Sequence, residues 1–346
     1  MSRLAAVLAS ALAVGCGAPA EAPTPERPVA YEGGARVTAT PIPLDPRDPK
    51  RVRVGALTYA GGAVLTATGT SRFGGLSDLM VLPALKGPQT VYAITDEGDL
   101  LTFDWLDGLT ASRTTTLSVR PLPDDDGRPL TGKARSDAED MAFDTDAAEA
   151  ERWSLLVSFE REHRVRRFTP PQTPKRGQVV ATPGLPPLPE NDGLEGLAVL
   201  FTAPERTLVL GAQDGRVWFC GVDGRAPCRM ALKAPPKAGY SLSSLAHVPG
   251  TYDLVALYRD YGFRRRLMIA HVRTGLGRGG DGRARVEPLA ELSSPMNLDN
   301  FEGVAVGPNY ATRGQRIYIV SDDNFDPKRQ RTLLMAFDWE PGEALK

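Results

Sequence analysis

Three glutamates recur at one place in a short motif: Glu139 in DAEDM (137–141), Glu195 in GLEGL (193–197) and Glu302 in NFEGV (300–304). The same place holds Ser77 in GLSDL (75–79) and Ser243 in SLSSL (241–245), and Asp78 and Asp140 follow one residue on. A second polar position closes the next apolar run of each copy, giving Asp96, Glu160, Gln213, Arg259 and Asp322. Carboxylates gathered in one place cannot all ionise without a cation, an arginine or a raised pKa. Calcium takes roughly six to eight oxygens from carboxylates, carbonyls and water. A ring of Glu139, Glu195 and Glu302, helped by Asp96, Glu160 or Asp322, is therefore a candidate Ca2+ site. Arginine is the competing solution: Arg161, Arg259 and the run Arg264 to Arg266 could pair with these carboxylates and make the ring structural. With a cation present, Arg259 becomes a candidate for stabilising developing charge beside Glu139, Glu195 and Glu302.

Other chemistries find no support. The three histidines, His163, His247 and His271, form no His-Glu-x-x-His pair, and no Gly-x-Ser-x-Gly elbow presents a serine nucleophile. Gly275 to Gly280 carries the letters of a dinucleotide fingerprint but lies between two strand-like runs, so a hairpin loop is expected. The acidic groups at 124–127 and at 144–146 lack the spacing of a calcium loop and are expected to be solvated turns. The basic run Arg161 to Arg167 alternates without aromatic residues, as on a solvated sheet face, and Lys328, Arg329 and Arg331 are expected as surface charge on a hairpin. With 41 Lys and Arg against 42 Asp and Glu, no global field recruits nucleic acid.

The elements that must position these residues are strands. The chain has 35 Gly and 30 Pro and hardly any long window at helical period, so short strands between turns are predicted throughout. The first four motif copies each open a group of four apolar runs, and the copies follow one another at intervals of roughly 50 to 60 residues. Four antiparallel strands per repeat predict an all-β fold, a β-propeller, in which equivalent positions on the opening strands converge on the axis. Five repeats are visible. Strand-like runs around Val37 and Val64 leave five or six blades open, and two separate sandwiches remain the structural alternative. The last repeat ends after its third run, TLLMAFDW, and its fourth strand is expected from the N-terminal run Arg51 to Tyr59.

Residues 1–15 have the layout of an export signal, one Arg followed by an apolar run too short to span a bilayer, and Ala13, Val14 and Gly15 before Cys16 resemble a lipobox. Acylation of Cys16, a Pro- and Ala-rich tether over 16–35 and a single domain over 36–346 are the expected organisation, with a cleaved ordinary signal as the alternative. An exported chain meets an oxidising compartment, and Cys220 and Cys228 flank a turn, so a disulfide between them is expected.

The runs GGLSDL, DAEDMAFD, SFEREHRVRRF, NDGLEGLAV and NFEGVAV, with IYIVSDDNFDPKRQRTLLMAFDW at the end, resemble the bacterial phytase-like family described as esterase-like activity of phytase. The resemblance runs from about Gly74 to Trp339. It implies a propeller with repeated acidic residues and a phosphoester hydrolase activity on a small phosphorylated substrate. A non-catalytic surface propeller that binds a protein or glycan is the alternative, and a calcium-dependent lactonase a third. A monomer, held to the membrane of the cell envelope by its lipid anchor, is expected.

Overall fold

The computed structural model describes residues 34–84, 86–145, 153–190, 192–202, 205–233, 235–260, 265–277, 280–281 and 283–341. Three N-terminal strands come first: β1 (Arg36–Pro41), β2 (Arg53–Val54) and β3 (Leu57–Thr68). The first repeat contains β4 (Leu76–Leu82), β5 (Gln89–Thr95), β6 (Asp99–Trp105) and β7 (Arg113–Pro121), followed by a four-residue helix, α1 (Lys133–Ser136). The second contains β8 (Ala138–Asp144), β9 (Ser154–Phe159), β10 (Arg164–Thr169) and β11 (Arg176–Val180). The third contains β12 (Leu194–Thr202), β13 (Glu205–Ala212), β14 (Val217–Gly221) and β15 (Arg229–Leu232). The fourth contains β16 (Ser241–His247), β17 (Leu254–Asp260), β18 (Arg266–Arg273) and β19 (Arg285–Leu292). The chain closes with β20 (Asn300–Asn309), β21 (Gly314–Asp322) and β22 (Thr332–Trp339).

Every described pairing between these strands is antiparallel, and the second, third and fourth repeats each form their own four-stranded sheet. β3 pairs with β22, Thr332 opposite Leu65 and Asp338 opposite Thr58, and so supplies the fourth strand of the last sheet. The donor is therefore Leu57–Thr68 rather than the run from Arg51 to Tyr59, of which it shares three residues; Arg53–Val54 instead folds back on β3. Val37 and Val64, the runs that left room for a further sheet, belong to a single β1–β3 pair, Val37 opposite Ala67 and Val64 opposite Thr40. β1 also pairs with β7 and joins the last sheet to the first.

Burial follows the order of the strands. Every described position of β9 and nearly every one of β17 is buried, because sheets cover both of their faces, whereas β7 and β19 are largely exposed. The described apolar side chains sort into five cores. Ile94 and Leu100 meet Leu155 and Phe159; Leu156 and Val165 meet Leu208 and Trp218; Val209 meets Ala256 and Met268. Leu257 and Ile269 meet Ile317 and Leu333, and Tyr318 and Leu334 of the last repeat meet Val91 and Leu101 of the first. Ion pairs cross the same seams: buried Asp144 binds Arg167 and Arg206, and Arg316 binds Asp107 and Asp338.

Two expectations about surface charge fail here. Asp144 ends β8 and is fully buried between Arg167 and Arg206, because two guanidinium groups neutralise it. Arg166 is also buried, donating to the Gly177 carbonyl at 2.6 Å, so β10 does not present a solvated basic face. Arg331 stays exposed on its hairpin, as expected, while bonding Asp299 and Asn297.

Candidate functional site

The inner strands β4, β8, β12, β16 and β20 share one irregularity. In each, the pairing with the next strand slips at the motif: between Leu76 and Asp78, Ala138 and Met141, Leu194 and Gly196, Leu242 and Ser244, and Phe301 and Gly303. Ser77, Glu139, Glu195, Ser243 and Glu302 are thus bulge residues. A bulge leaves one residue out of the ladder and re-aims its side chain. A regular strand would send successive side chains to opposite faces; the slip frees this pattern, and both Glu139 and Asp140 are buried.

The position after the bulge closes the axis. Asp140 accepts the amide N–H of Leu197 at 2.7 Å and of Leu245 at 3.0 Å, and Asp78 accepts those of Met141 at 3.0 Å and Val304 at 3.2 Å. Ser244 donates its hydroxyl to Asp78 and accepts the same Val304 N–H. Beyond this knot lies an apolar cavity of about 170 Å³ lined by Leu79, Met141, Leu197, Leu245 and Val304.

On the other side of the knot the carboxylates gather. Oxygens of Asp137, Glu139 and Glu160 lie within 4.8 Å of one another. Asp137 is 1% exposed and engages two cations, Lys133 Nζ at 2.5 Å and Arg161 Nε at 2.8 Å. Lys133 also reaches Asp96 at 2.8 Å. Glu302 pairs with Arg259 and accepts from Asn300 Nδ2 at 2.7 Å, and the same Asn300 nitrogen lies 3.4 Å from Asp322. Glu160 accepts the Gly193 N–H at 3.3 Å. A second cavity, about 310 Å³, opens beside Glu302, Asn300 and Arg259 and extends to Arg265, Asn324 and Gln330.

Apart from Glu160, the carboxylates fall into two groups. Asp96, Asp137 and Glu302 each have a side-chain cation. Glu139, Glu195 and Asp322 form no ion pair with a side-chain cation among the described residues, and all three titrate high. Burial is the largest cause in every case. Repulsion from Glu195 and Asp137 adds to it at Glu139, which is held well above the usual carboxylate range. Glu195 is pushed up to about 8, with Arg259 opposing and Glu302 reinforcing the effect of burial. Asp322 is pushed up to about 9 by burial and by Glu302 and Asp96. Asp96 rises to about 6, less far because Lys133 opposes its burial.

The sequence-derived residues Asp96, Glu139, Glu160, Glu195, Arg259, Glu302 and Asp322 thus take part in one network of contacts and electrostatic couplings. Of the arginines considered, Arg161 pairs with Asp137, Arg266 pairs with Asp260, and Arg264 lies outside the described residues. Asp137, Asn300 and Lys133 join the site without being expected there. Asp137 and Asn300 occupy the first position of the motif, two residues before a glutamate, and the repeat alignment carried that signal. Lys133 belongs to α1, outside the repeats, and had none. The Cys16 expectation also lies outside the described residues, whereas Cys220 and Cys228 are joined by a disulfide, with Cα atoms 4.0 Å apart.

Similar folds occur among solved structures. The catalytic domain of a GH62 α-L-arabinofuranosidase from Coprinopsis cinerea superposes with a TM-score of 0.51 at 13% identity, covering 83% of this chain and 99% of that one. An α-L-arabinofuranosidase from Lactobacillus brevis gives 0.43 at 12% identity, covering 78% and 92%. The first of these supports an all-β propeller architecture, and at such identity the likeness concerns the fold alone. No curated protein matches the chain. A family model described as esterase-like activity of phytase, phytase-like, matches residues 71–325, well over half of the chain, which therefore belongs to that family.

Proposed function

We propose that the protein is a five-bladed propeller, closed by β3 as the outer strand of the last blade, that hydrolyses phosphoesters with the help of a divalent cation at its acidic mouth. The observation that carries this reading is the Asp137, Glu139 and Glu160 cluster beside a bulge glutamate from each of two other inner strands. The donor set is all oxygen and anionic, which suits a hard cation such as Ca2+. Asp137, Glu139 and Glu160 would hold it. When bound, the cation supplies polarisation of the phosphoryl oxygens and a more acidic water.

The chain's own residues supply the rest. The 310 Å³ cavity next to Glu302 gives room for the substrate, and the Arg259 guanidinium at its edge is suited to charge developing on a phosphoryl group. Glu195, held partly protonated near neutral pH, donates a proton to the ester oxygen as the P–O bond breaks. Water supplies the new P–O bond, and its proton passes to a neighbouring carboxylate.

One observation favours a second reading. Glu195 titrates high while Glu302, which raises it, is ion-paired to Arg259. A buried carboxyl group held high beside a second, ion-paired carboxyl group resembles the equipment of glycoside hydrolysis. A panel of phosphomonoester, phosphodiester, lactone and aryl arabinofuranoside substrates, assayed with Ca2+ and with chelator, separates these readings. Phosphoester turnover lost with chelator supports the first, and turnover of the glycoside or lactone alone replaces it. No turnover of any substrate leaves the surface-binding propeller.

We further propose that the chain is exported and anchored through an acylated Cys16, a reading that rests on the lipobox-like sequence. Metabolic labelling with a fatty-acid analogue should tag the wild type and leave Cys16→Ser untagged. Equal labelling of both overturns the anchor.

A further inference from the structure

Lys133 lies where an ion would otherwise be expected. Its Nζ is 2.5 Å from Asp137 Oδ1, 2.8 Å from Asp96 Oδ2 and 3.3 Å from the Asp96 carbonyl oxygen. An ammonium has three N–H donors, and here three oxygens from two sheets surround it. Asp96 follows β5 of the first sheet and Asp137 precedes β8 of the second, so one lysine charge spans the seam between them.

The backbone around α1 is built to place that lysine. Gly132 enters the helix at φ 79°, a conformation that side chains disfavour, and α1 packs on the turn at Gly98. A Cβ on Gly98 would come within 2.9 Å of the Ser136 Cβ, so this approach requires glycine. Arg161 takes the other oxygen of Asp137 at 2.8 Å. Asp137 is consequently the member of the Asp137, Glu139 and Glu160 cluster that already has two positive partners.

We propose that Lys133 is a tethered cation that holds Asp96 and Asp137 together in place of a metal ion and competes with a divalent cation for Asp137. The inference rests on the reading of this mouth as a cation site and makes no use of the hydrolytic step. A divalent cation on the cluster would sit beside two side-chain charges, whose repulsion weakens its binding. The Lys133 side chain is 40% exposed, so it has a route to water when an ion displaces it. Removing its charge while keeping the apolar stem leaves two carboxylates facing a vacant position of the right charge for Ca2+.

The test is calorimetric titration of the full chain with CaCl2 for the wild type, Lys133→Met, Lys133→Arg and the double variant Lys133→Met/Asp137→Asn. Lys133→Met should bind Ca2+ about tenfold more tightly than the wild type, or acquire binding where the wild type has none. Lys133→Arg should keep the wild-type value, and Asp137→Asn should abolish the gain. If Lys133→Met is poorly folded by circular dichroism, Lys133→Gln takes its place. No gain in the folded variant, or a gain that survives Asp137→Asn, overturns the tethered-cation role. Wild-type binding that weakens in Lys133→Met also overturns it but leaves the metal-assisted reading standing. Binding confined to Lys133→Met supports the role and overturns the metal-assisted reading for the natural chain.

Discussion

The side chains of Asp78 and Asp140 hydrogen-bond to each other in a fully buried position on the axis. Burial raises Asp78 to about 7 and holds Asp140 well above the usual carboxylate range, so the pair keeps a proton that two adjacent carboxylates require. Their remaining oxygen capacity goes to amides of β8, β12, β16 and β20. The pair is a fastening between strands that have no ladder with one another.

Asp140→Ala should therefore destabilise strongly, on the order of 3–5 kcal/mol, because it strands the buried N–H groups of Leu197 and Leu245. Asp140→Asn keeps an acceptor oxygen and should cost less. Urea unfolding of both variants checks this. Equal losses would mean that neither the retained acceptor oxygen nor the retained volume of asparagine offsets the loss of the shared proton.

The strands and their repeat were legible because alternation and turn residues are local signals: GLEGL and NFEGV already mark the openings of β12 and β20. The convergence of Glu139, Glu195 and Glu302 was legible through the repeat. The bulge was not, since a slip in pairing depends on the partner strand and leaves no letter of its own. Lys133 was hidden for a related reason: its contacts with Asp96 span 37 residues, and no counterpart of α1 occurs among the described residues of the other copies. Asp144 misled because an acidic residue beside Thr145 looks like a turn until Arg167 and Arg206 arrive from distant sequence.

The disulfide closes a short hairpin turn in the third sheet, with eight residues of sequence separation. Loop-closure entropy for so short a span is on the order of 2–3 kcal/mol. Titration of the denatured, unreduced protein should find no free thiol at Cys220 or Cys228. Cys220→Ser/Cys228→Ser should melt several degrees lower and leave any activity intact, as both residues belong to the core between the second and third sheets rather than to the mouth.

Glu302→Gln should affect both the mouth and the fold. Glutamine keeps an acceptor for Asn300 Nδ2 but removes the charge opposite the buried Arg259. Substrate turnover should fall by about 100-fold or more, and stability should drop by on the order of 3–5 kcal/mol because a buried guanidinium loses its carboxylate. Glu195→Gln should cause a similar fall in turnover with a smaller loss of stability, because it removes a group that burial already keeps protonated. Initial rates and melting curves of the two variants, measured together, check both. Full turnover in either would remove that residue from the mechanism.

The raised pKa values of Glu195 and Asp322 make stability depend on pH. Glu195 is raised from 4.5 to about 8 and Asp322 from 3.8 to about 9, so each binds a proton more tightly folded than unfolded. Their contribution to stability is fully present below the unfolded values and is lost as pH rises through the folded ones. Without a divalent cation, Tm should fall between about pH 5 and pH 9, by on the order of 5–10 °C. A cation bound to the native mouth takes over the compensation that protons supply, and it binds better as they leave. Saturating Ca2+ should then raise Tm most at pH 8–9 and least near pH 5, with the chelator restoring the slope. Glu195→Gln, which cannot ionise, should flatten the slope without any metal. Melting curves at stepped pH, with calcium and with chelator, read all three effects. A wild-type Tm that stays level across that range would mean that Glu195 and Asp322 ionise at no cost, and the mouth would need no cation to balance them.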